Sequence, residues 1–329
     1  MKFDSNRLSR MLDGMGVPDM YFHHDNEGRR IDAALSVVFA RQLEYVQKDF
    51  EATVYPELIA RDVIPVVYDV PEGATAYTYT RLEEIGEADF ITDSAADYPN
   101  IEVSGVQVTA RIIGWGDSYQ YSVREAKSAA LAGVQLDSEK ANAARKAIER
   151  RLDAVALTGV VQANLPGLLN SALVTPVAVV GDWADPATTG ESIFNDIQRL
   201  WTDIYIKSGA ALEPDTLLLP TAGYSAVNTR FMGPNDRRTV KEALAAGSAF
   251  KTIKASQKLN LANAALTGPR MVAYKYDKSI LRLTIPQEIQ SSEPQAVARS
   301  FRVFSDMYSG GTQIRNPMGI AYADSMIGS

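Results

Sequence analysis

The feature that most constrains the fold is a β-rich segment, residues 101–120, that leads directly into a long amphipathic helix over residues 121–159. The helical stretch reads YSVREAKSAALAGVQLDSEKANAARKAIERRLDAVALTG. Ser122 is followed three residues later by Glu125, the spacing of a capping box, in which each side chain accepts the other residue's backbone N–H. The sequence therefore predicts that a helix begins near Val123.

The same stretch is divided by Gly133, which can end the first helical segment in a left-handed conformation. Asp137 or Ser138 can then cap a second segment that runs to Gly159. The apolar residues of the second segment recur at steps of three and four and form one stripe: Ala141, Ala144, Ile148, Leu152 and Val155. Its other faces are charged, and we expect them to be exposed: Lys140, Arg145, Lys146, Glu149, Arg150, Arg151 and Asp153. A rod of about 30 Å follows from roughly 20 residues at ~1.5 Å each.

Residues 64–119 change to a period of two, which is typical of strands. TAYTYT (75–80) and VQVTARI (106–112) read as the arms of a hairpin, with Gly105 as a bulge and an acidic loop between the arms. Arms of roughly 15 residues would reach about 50 Å, beyond the ~20 Å radius of gyration of a compact chain of this length. Because an isolated two-stranded ribbon is marginally stable, we expect the hairpin to lie on a neighbouring subunit.

The rest of the chain alternates helical and strand patterns. Residues 1–30 read as an extended arm and residues 31–50 as an amphipathic helix, and NLPGLLN (164–170) reads as a loop. Further helices are predicted over residues 192–208, 221–231 and 235–250. Further strands are predicted over residues 174–180, 216–220, 271–276, 281–285, 300–306 and 318–324.

Composition excludes several classes of protein. Of the 329 residues, 46% are hydrophobic and 22% are charged, which are ordinary globular values. No apolar run approaches the ~20 residues of a bilayer span, and the N-terminus lacks the apolar core of a signal peptide, which favours a cytosolic product. The absence of cysteine excludes disulfides, thiolate metal sites and a cysteine nucleophile. A net charge of −7 argues against a surface built to grip phosphate backbones.

The candidate chemical groups are few. His23 and His24 offer either a metal site or general base, or simply exposed polar side chains, and the second interpretation is favoured because no second ligand cluster follows. Gly114-Trp-Gly116 and Gly310-Gly311 lack the later glycines of nucleotide-binding motifs and read as turns. The acidic set lacks calcium-loop spacing and is interpreted as a solvated loop tip: Glu83, Glu84, Glu87, Asp89, Asp93 and Asp97.

Basic residues on the long helix leave two alternatives open. Arg145, Lys146, Arg150 and Arg151 could contact nucleic acid, or they could form an ordinary solvent-exposed helix face, which is favoured. No nucleophile, base and oxyanion donor converge in the sequence. We therefore predict no catalytic, cofactor-binding or metal-binding residues, and an enzyme is the least favoured hypothesis.

The order of these parts resembles the major capsid proteins of tailed bacteriophages and prophages, which have the HK97-like fold. The resemblance is carried by the helical stretch quoted above and by three shorter ones: NLPGLLN, PDTLLLPTAGY and GGTQIRNPMGIAYAD. It implies an α+β fold with an N-terminal arm and helix (1–50), an extended hairpin loop (63–116), a peripheral domain with a spine helix (117–173 and 290–329) and an axial α/β domain (174–289).

The resemblance also implies a structural protein of the virion. Copies would self-assemble through hexamers and pentamers into an icosahedral capsid around double-stranded DNA, a non-specific neighbour, after synthesis in the host cytoplasm. Portal, scaffolding and cement or decoration proteins are the further partners that it implies, and no membrane. Some relatives join subunits by an isopeptide bond from a lysine in the hairpin loop, but no lysine occurs between Lys48 and Lys127. The alternative within the same architecture is an encapsulin-type bacterial compartment that packages cargo enzymes.

Overall fold

The computed structural model describes residues 23–24, 30–31, 56–85, 102–132, 136–247, 250–260, 268–324 and 326. The chain divides into two units, Met1–Val54 and Tyr55–Ser329. In the first unit, strands β1 (His23–His24) and β2 (Arg30–Ile31) pair antiparallel. The helix predicted over residues 31–50 lies outside the described residues, except that Ile31 belongs to β2.

The second unit mixes helices and strands. Its helices are α1 (Ala60–Val63), α2 (Val123–Ala132), α3 (Leu136–Thr158), α4 (Gly190–Lys207), α5 (Thr221–Thr229) and α6 (Val240–Ala246). Its strands up to residue 239 are β3 (Val66–Val67), β4 (Ala76–Ile85), β5 (Glu102–Arg111), β6 (Ile113–Ser122), β7 (Pro176–Val177), β8 (Thr216–Pro220), β9 (Phe231–Gly233) and β10 (Asp236–Thr239). The remaining strands are β11 (Thr252–Ser256), β12 (Arg270–Tyr274), β13 (Leu281–Thr284), β14 (Gln287–Ser291), β15 (Gln295–Val297), β16 (Ser300–Ser309), β17 (Thr312–Ile314) and β18 (Ile320–Asp324).

A five-stranded sheet in the order β11-β8-β12-β18-β7 forms the centre of the unit. Every residue of β8 and β12 is buried, because apolar side chains cover both faces of the sheet. Leu217 and Leu219 lie in one core cluster with the buried face of α4, whereas Leu218 lies in a second cluster with α3. This alternation follows from the period of two along a strand. The predicted buried strand at 216–220 and the amphipathic helix beginning near residue 192 are therefore confirmed.

Helix α3 buries the predicted stripe. Ile148, Leu152 and Val155 are each 2% exposed or less, and Ala144 is 5% exposed. The capping box ahead of α2 is also confirmed. The next helix begins at Leu136, so Asp137 and Ser138 lie in its first turn and not at the N-cap that was predicted for them.

A second sheet is built on β16, which pairs antiparallel with β6 over ten residues. Gly114 and Gly116 lie inside β6, so the turn predicted for them is wrong. A Cβ on Gly116 would lie 2.6 Å from the carbonyl oxygen of Ser305, which shows that these glycines permit close approach of the two strands. Gly310 and Gly311 form the two-residue connection between β16 and β17, and Gly311 has a φ of +67°.

The structure corrects one further prediction. Residues 235–250 are not one helix, because β10 first pairs antiparallel with β9 and α6 follows it. Strand β18 pairs antiparallel with β12, so residues 320–324 share a hydrogen-bonded sheet with strands from the predicted axial range 174–289. The boundaries of the domains stay predictions.

Candidate functional site

The hairpin of β4 and β5 projects from the unit as a regular two-stranded ribbon. Its register runs without a shift from Ala76 opposite Arg111 to Ile85 opposite Glu102. Gly105 lies opposite Leu82 in this register, so the bulge predicted at Gly105 is wrong. The described part of each arm has 10 paired residues, about 33 Å at ~3.3 Å per residue, and the rest of the predicted arms lies outside the described residues.

One face of the described ribbon is open, whereas the opposite face is half-buried at Tyr77, Tyr79, Arg81, Val108 and Ala110. On β4, Ala76, Thr78 and Thr80 are exposed, and on β5 residues 104–107 are exposed, including Val106 at 47%. The hydroxyl oxygens of Thr78 and Thr109 lie 2.9 Å apart across the ribbon. The acidic tip, residues 86–101, lies outside the described residues, and with it four members of the acidic set. The described ribbon therefore has little buried apolar surface of its own.

The base of the hairpin is anchored to its own subunit by two tyrosines. The hydroxyl of Tyr77 lies 3.3 Å from Thr284 Oγ1, and burial raises the pKa of Tyr77 to about 12. The ring of Tyr79 stacks on that of Tyr77 with centroids 6.4 Å apart. A Cβ on Gly310 would lie 2.9 Å from the Tyr77 ring, so the turn after β16 is shaped to receive this ring.

Three arginines surround these tyrosines. The Arg315 guanidinium lies 4.5 Å from the centroid of the Tyr79 ring, and Arg282 Nη1 lies 3.0 Å from Asp69 Oδ2. Burial, followed by repulsion from Arg282, lowers the pKa of Arg315. Within the described part of the chain, the Nε atoms of Arg81, Arg282 and Arg315 are buried and have no hydrogen-bond acceptor. The hairpin base is therefore electropositive, although the chain as a whole is acidic.

The segment that leads to the hairpin is fixed to α3 by an aspartate for which the helical pattern predicts an exposed position. Asp153 is only 4% exposed, and its Oδ1 accepts the backbone N–H groups of Ile59 (3.0 Å) and Ala60 (2.9 Å). Burial raises the pKa of Asp153, and the two N–H donors partly offset this effect. The helical repeat alone gave no signal of this role, because it depends on contacts with residues about 90 positions away.

An ion-pair network strengthens the same junction. Arg61 donates Nη1 and Nη2 to the Glu288 carboxylate, both at 2.8 Å, and its Nε to Glu149 at 3.1 Å. The Tyr68 hydroxyl donates to Glu288 at 2.8 Å. These contacts hold α1, α3 and β14 together below the hairpin. Glu149, expected to be fully exposed, is half-buried for this reason.

The basic residues predicted on α3 do lie at the surface. Arg145, Lys146 and Arg151 are exposed, and Arg150 donates its Nε to the carbonyl of Lys146 at 3.3 Å. The acidic residues of this half of the helix, Glu149 and Asp153, face the body instead. The helix therefore presents a cationic outer face, as the sequence indicated, and no ligand is needed to account for it.

Other chemistry is sparse. Among the residues that the structure describes, no cluster of three or more His, Asp or Glu side chains could hold a metal ion. His23 and His24 lie in β1 opposite Ile31 and Arg30. No helix in the described ranges is long and apolar enough to cross a membrane.

Comparison with known proteins assigns a family to this architecture. Residues 86–326 match the family model described as major capsid protein. The chain belongs to the major capsid protein family. No curated protein matches it. As a member of this family the protein is a structural, non-enzymatic component of the virion capsid.

Solved structures confirm the HK97-like α+β fold for this major capsid protein. It is similar to the capsid of Myoviridae phage XM1, with a TM-score of 0.74 and 19% identity over 87% of this chain and 98% of the other. It also resembles the capsid of a native GTA particle, with a TM-score of 0.66 and 13% identity over 89% of this chain and 99% of the other. A third neighbour is a solved chain of Mycobacterium phage Bobi, with a TM-score of 0.62 and 15% identity over 88% and 97% of the two chains.

Proposed function

We propose that this capsid protein closes its shell through hexamers and pentamers in which the β4–β5 hairpin of one subunit lies on the next. The observation that carries the proposal is the exposure of one face of the described hairpin, together with the exposure of residues 104–107 beyond its tyrosine-anchored base. An isolated ribbon of this kind is marginal in water, so a partner surface must supply most of its burial. Contacts between unlike patches of identical chains generate closed rings.

The proposal includes a division of the subunit. The hairpin loop covers residues 63–116, a peripheral domain contains the spine helix α3 and the β6–β16 sheet, and an axial domain contains the five-stranded sheet. The axial boundary of 174–289 is extended to include β18, because β18 pairs with β12. Residues 1–50 form the N-terminal arm and helix.

The contents and partners of the shell follow from the same proposal. Double-stranded DNA is enclosed as a non-specific neighbour, which accords with a net charge of −7. Portal, scaffolding and cement or decoration proteins complete the particle. Since no lysine lies between Lys48 and Lys127, an isopeptide bond from the hairpin does not join the subunits, and noncovalent burial or cement proteins strengthen the shell.

Electron microscopy of the expressed chain tests the proposal. The full chain is expected to form closed shells, either alone or with its scaffolding protein, and a variant lacking Gly73–Asn100 is expected to form none. Circular dichroism and thermal unfolding of the variant should match those of the unassembled parent, because the two core clusters lie outside the deletion. Normal particles from the deletion variant would refute the role of the hairpin. Small closed shells that carry a host enzyme would favour a cargo compartment instead.

A further inference from the structure

A groove of about 370 Å³ lies beside the hairpin base and carries unbalanced positive charge. It is lined by Tyr79 and Arg81 of β4 and by Ser279, Arg315, Asn316 and Met318 from the body. Two arginines therefore face one cleft from opposite sides, with the Tyr79 ring between the hairpin and the body. This site lies at the anchored end of the hairpin, on the face opposite the open one.

The arginines of the groove lack acidic partners among the described residues. The ion pairs of this region connect Arg282 to Asp69, and none includes Arg81 or Arg315. The Nε atoms of both are shielded from solvent without an acceptor. The Tyr79 ring gives Arg315 a cation–π contact, but a ring face accepts no ordinary hydrogen bond. A shielded Nε–H group without an acceptor is costly, and arginine side chains favour carboxylate partners, so the groove is suited to a carboxylate ligand.

We infer that this groove binds the acidic tip, residues 86–101, of a second copy of the chain. The tip contains Glu87, Asp89, Asp93 and Asp97 and no lysine, arginine or histidine, so its formal charge is −4. The paired part of β4 continues for six residues beyond Tyr79, about 20 Å at ~3.3 Å per residue, before the chain reaches residue 86. Because the hairpin is proposed to lie on the next subunit, the tip that meets this groove is that of a neighbouring copy.

The inference rests on the proposed function and makes it more specific. A tip that binds the base of the next hairpin joins unlike patches of identical chains, which is the contact that a ring requires. Complementary charges at such a contact fix the register and reject wrong alignments. The groove would thus determine where along its neighbour each hairpin lies.

Charge reversal on the two sides of the contact tests this inference in shells. Arg81→Glu, and separately the tip variant Glu87→Lys/Asp89→Lys/Asp93→Lys/Asp97→Lys, are each expected to reduce the yield of closed shells by about tenfold or more, since the loss of a buried charge pair commonly costs more than the ~1.4 kcal/mol of a tenfold change. The two sets combined in one chain are expected to recover shells. Arg151→Glu, an equally basic but exposed position on α3, is the matched control and should assemble like the parent.

Peptide binding separates this inference from the proposed function. A fluorescent peptide of residues 86–101 should bind the full unassembled chain, more weakly at high salt, and about tenfold more weakly to Arg81→Glu and to Arg315→Gln than to the parent. The same peptide with its four acids changed to amides should not bind. If the peptide binds but the chain forms no closed shells, the proposed function is wrong and the assignment of the groove still holds. Shells without binding, normal assembly of the tip variant, or defects that the combined variant does not rescue would overturn the groove assignment.

Discussion

The hairpin of β4 and β5 and the strands β8 and β12 contrast sharply in how they are stabilised. Every residue of β8 and β12 is buried, with apolar clusters on both faces of their sheet. The hairpin instead exposes alternate residues on β4 and most of the described residues on β5, and its burial is limited to the base around Tyr77 and Tyr79. The β4–β5 hairpin and the β8–β12 pair are nevertheless alike in their regular, unbroken backbone pairing.

The contrast shows that regular backbone pairing does not by itself indicate where the stabilising free energy arises. Fully burying a leucine stabilises a fold by about 1.5–3 kcal/mol, and the five-stranded sheet gains this repeatedly within one subunit. The hairpin gains little of it, yet its Tyr77 and Tyr79 hold it at a fixed position. Its remaining surface is available to neighbouring subunits of the shell.

The largest loss of stability is expected from shortening a buried side chain in the central sheet. Leu218→Ala should lower the free energy of unfolding of the unassembled subunit by about 2–5 kcal/mol, because it leaves a cavity in a fully buried cluster. The matched hairpin variant Val106→Ala, at a residue that is 47% exposed, should change that free energy by less than about 0.5 kcal/mol. Chemical denaturation followed by circular dichroism measures both. Similar losses from the two variants would show that the hairpin already packs within its own subunit.

A smaller effect is expected at the junction below the hairpin. Asp153→Ala should destabilise the subunit by about 1–3 kcal/mol, since it leaves the buried N–H groups of Ile59 and Ala60 without an acceptor. Asp153→Asn should cost less, because its amide oxygen can still accept. Equal stability of the alanine variant and the parent would contradict this anchoring role.

The same residue gives a pH dependence of defined sign. Because burial raises the pKa of Asp153 in the folded state, the folded chain binds the proton more tightly than the unfolded chain does. The contribution of Asp153 to stability is therefore greatest below the ordinary aspartate pKa and falls as pH rises from that value to the raised one. The free energy of unfolding, measured by denaturation across this range, should fall for the parent relative to Asp153→Asn as pH increases.

The smallest effect is expected at the start of α2. Ser122→Ala removes the acceptor of the Glu125 N–H and should cost about 1 kcal/mol. Ser122→Asp, which retains a capping oxygen, is the control. The midpoint of thermal unfolding should fall for the alanine variant and remain close to the parent value for the aspartate variant. Equal midpoints for the two variants would show that packing, and not the cap, stabilises the start of this helix.

The sequence was most informative where local chemistry decides the structure. The capping box at Ser122, the apolar stripe of α3 and the buried strand at 216–220 all follow from spacing within a few residues. The two-residue period likewise predicted the hairpin. The absence of a bulge at Gly105 was not predictable, because glycine is compatible with both geometries.

The errors concern residues whose roles depend on distant partners. Gly114 and Gly116 were interpreted as turn residues, but they are glycines because β16, nearly 200 residues later, packs too closely for a side chain. Asp153 was placed on a solvent face, and its acceptor role depends on Ile59 and Ala60. The cationic groove at Arg81 and Arg315 is likewise created by the tertiary fold.

Amide hydrogen exchange, measured on unassembled subunits and on closed shells, tests the central claim most directly. Residues 76–85 and 102–111 should exchange quickly in the unassembled subunit, except near Tyr77 and Tyr79, and should become at least about tenfold more protected in the shell. Strands β8, β12 and β18 should be equally protected in both states, because their burial is complete within one subunit. Equal protection of the hairpin before and after assembly would contradict the claim that neighbouring subunits stabilise it.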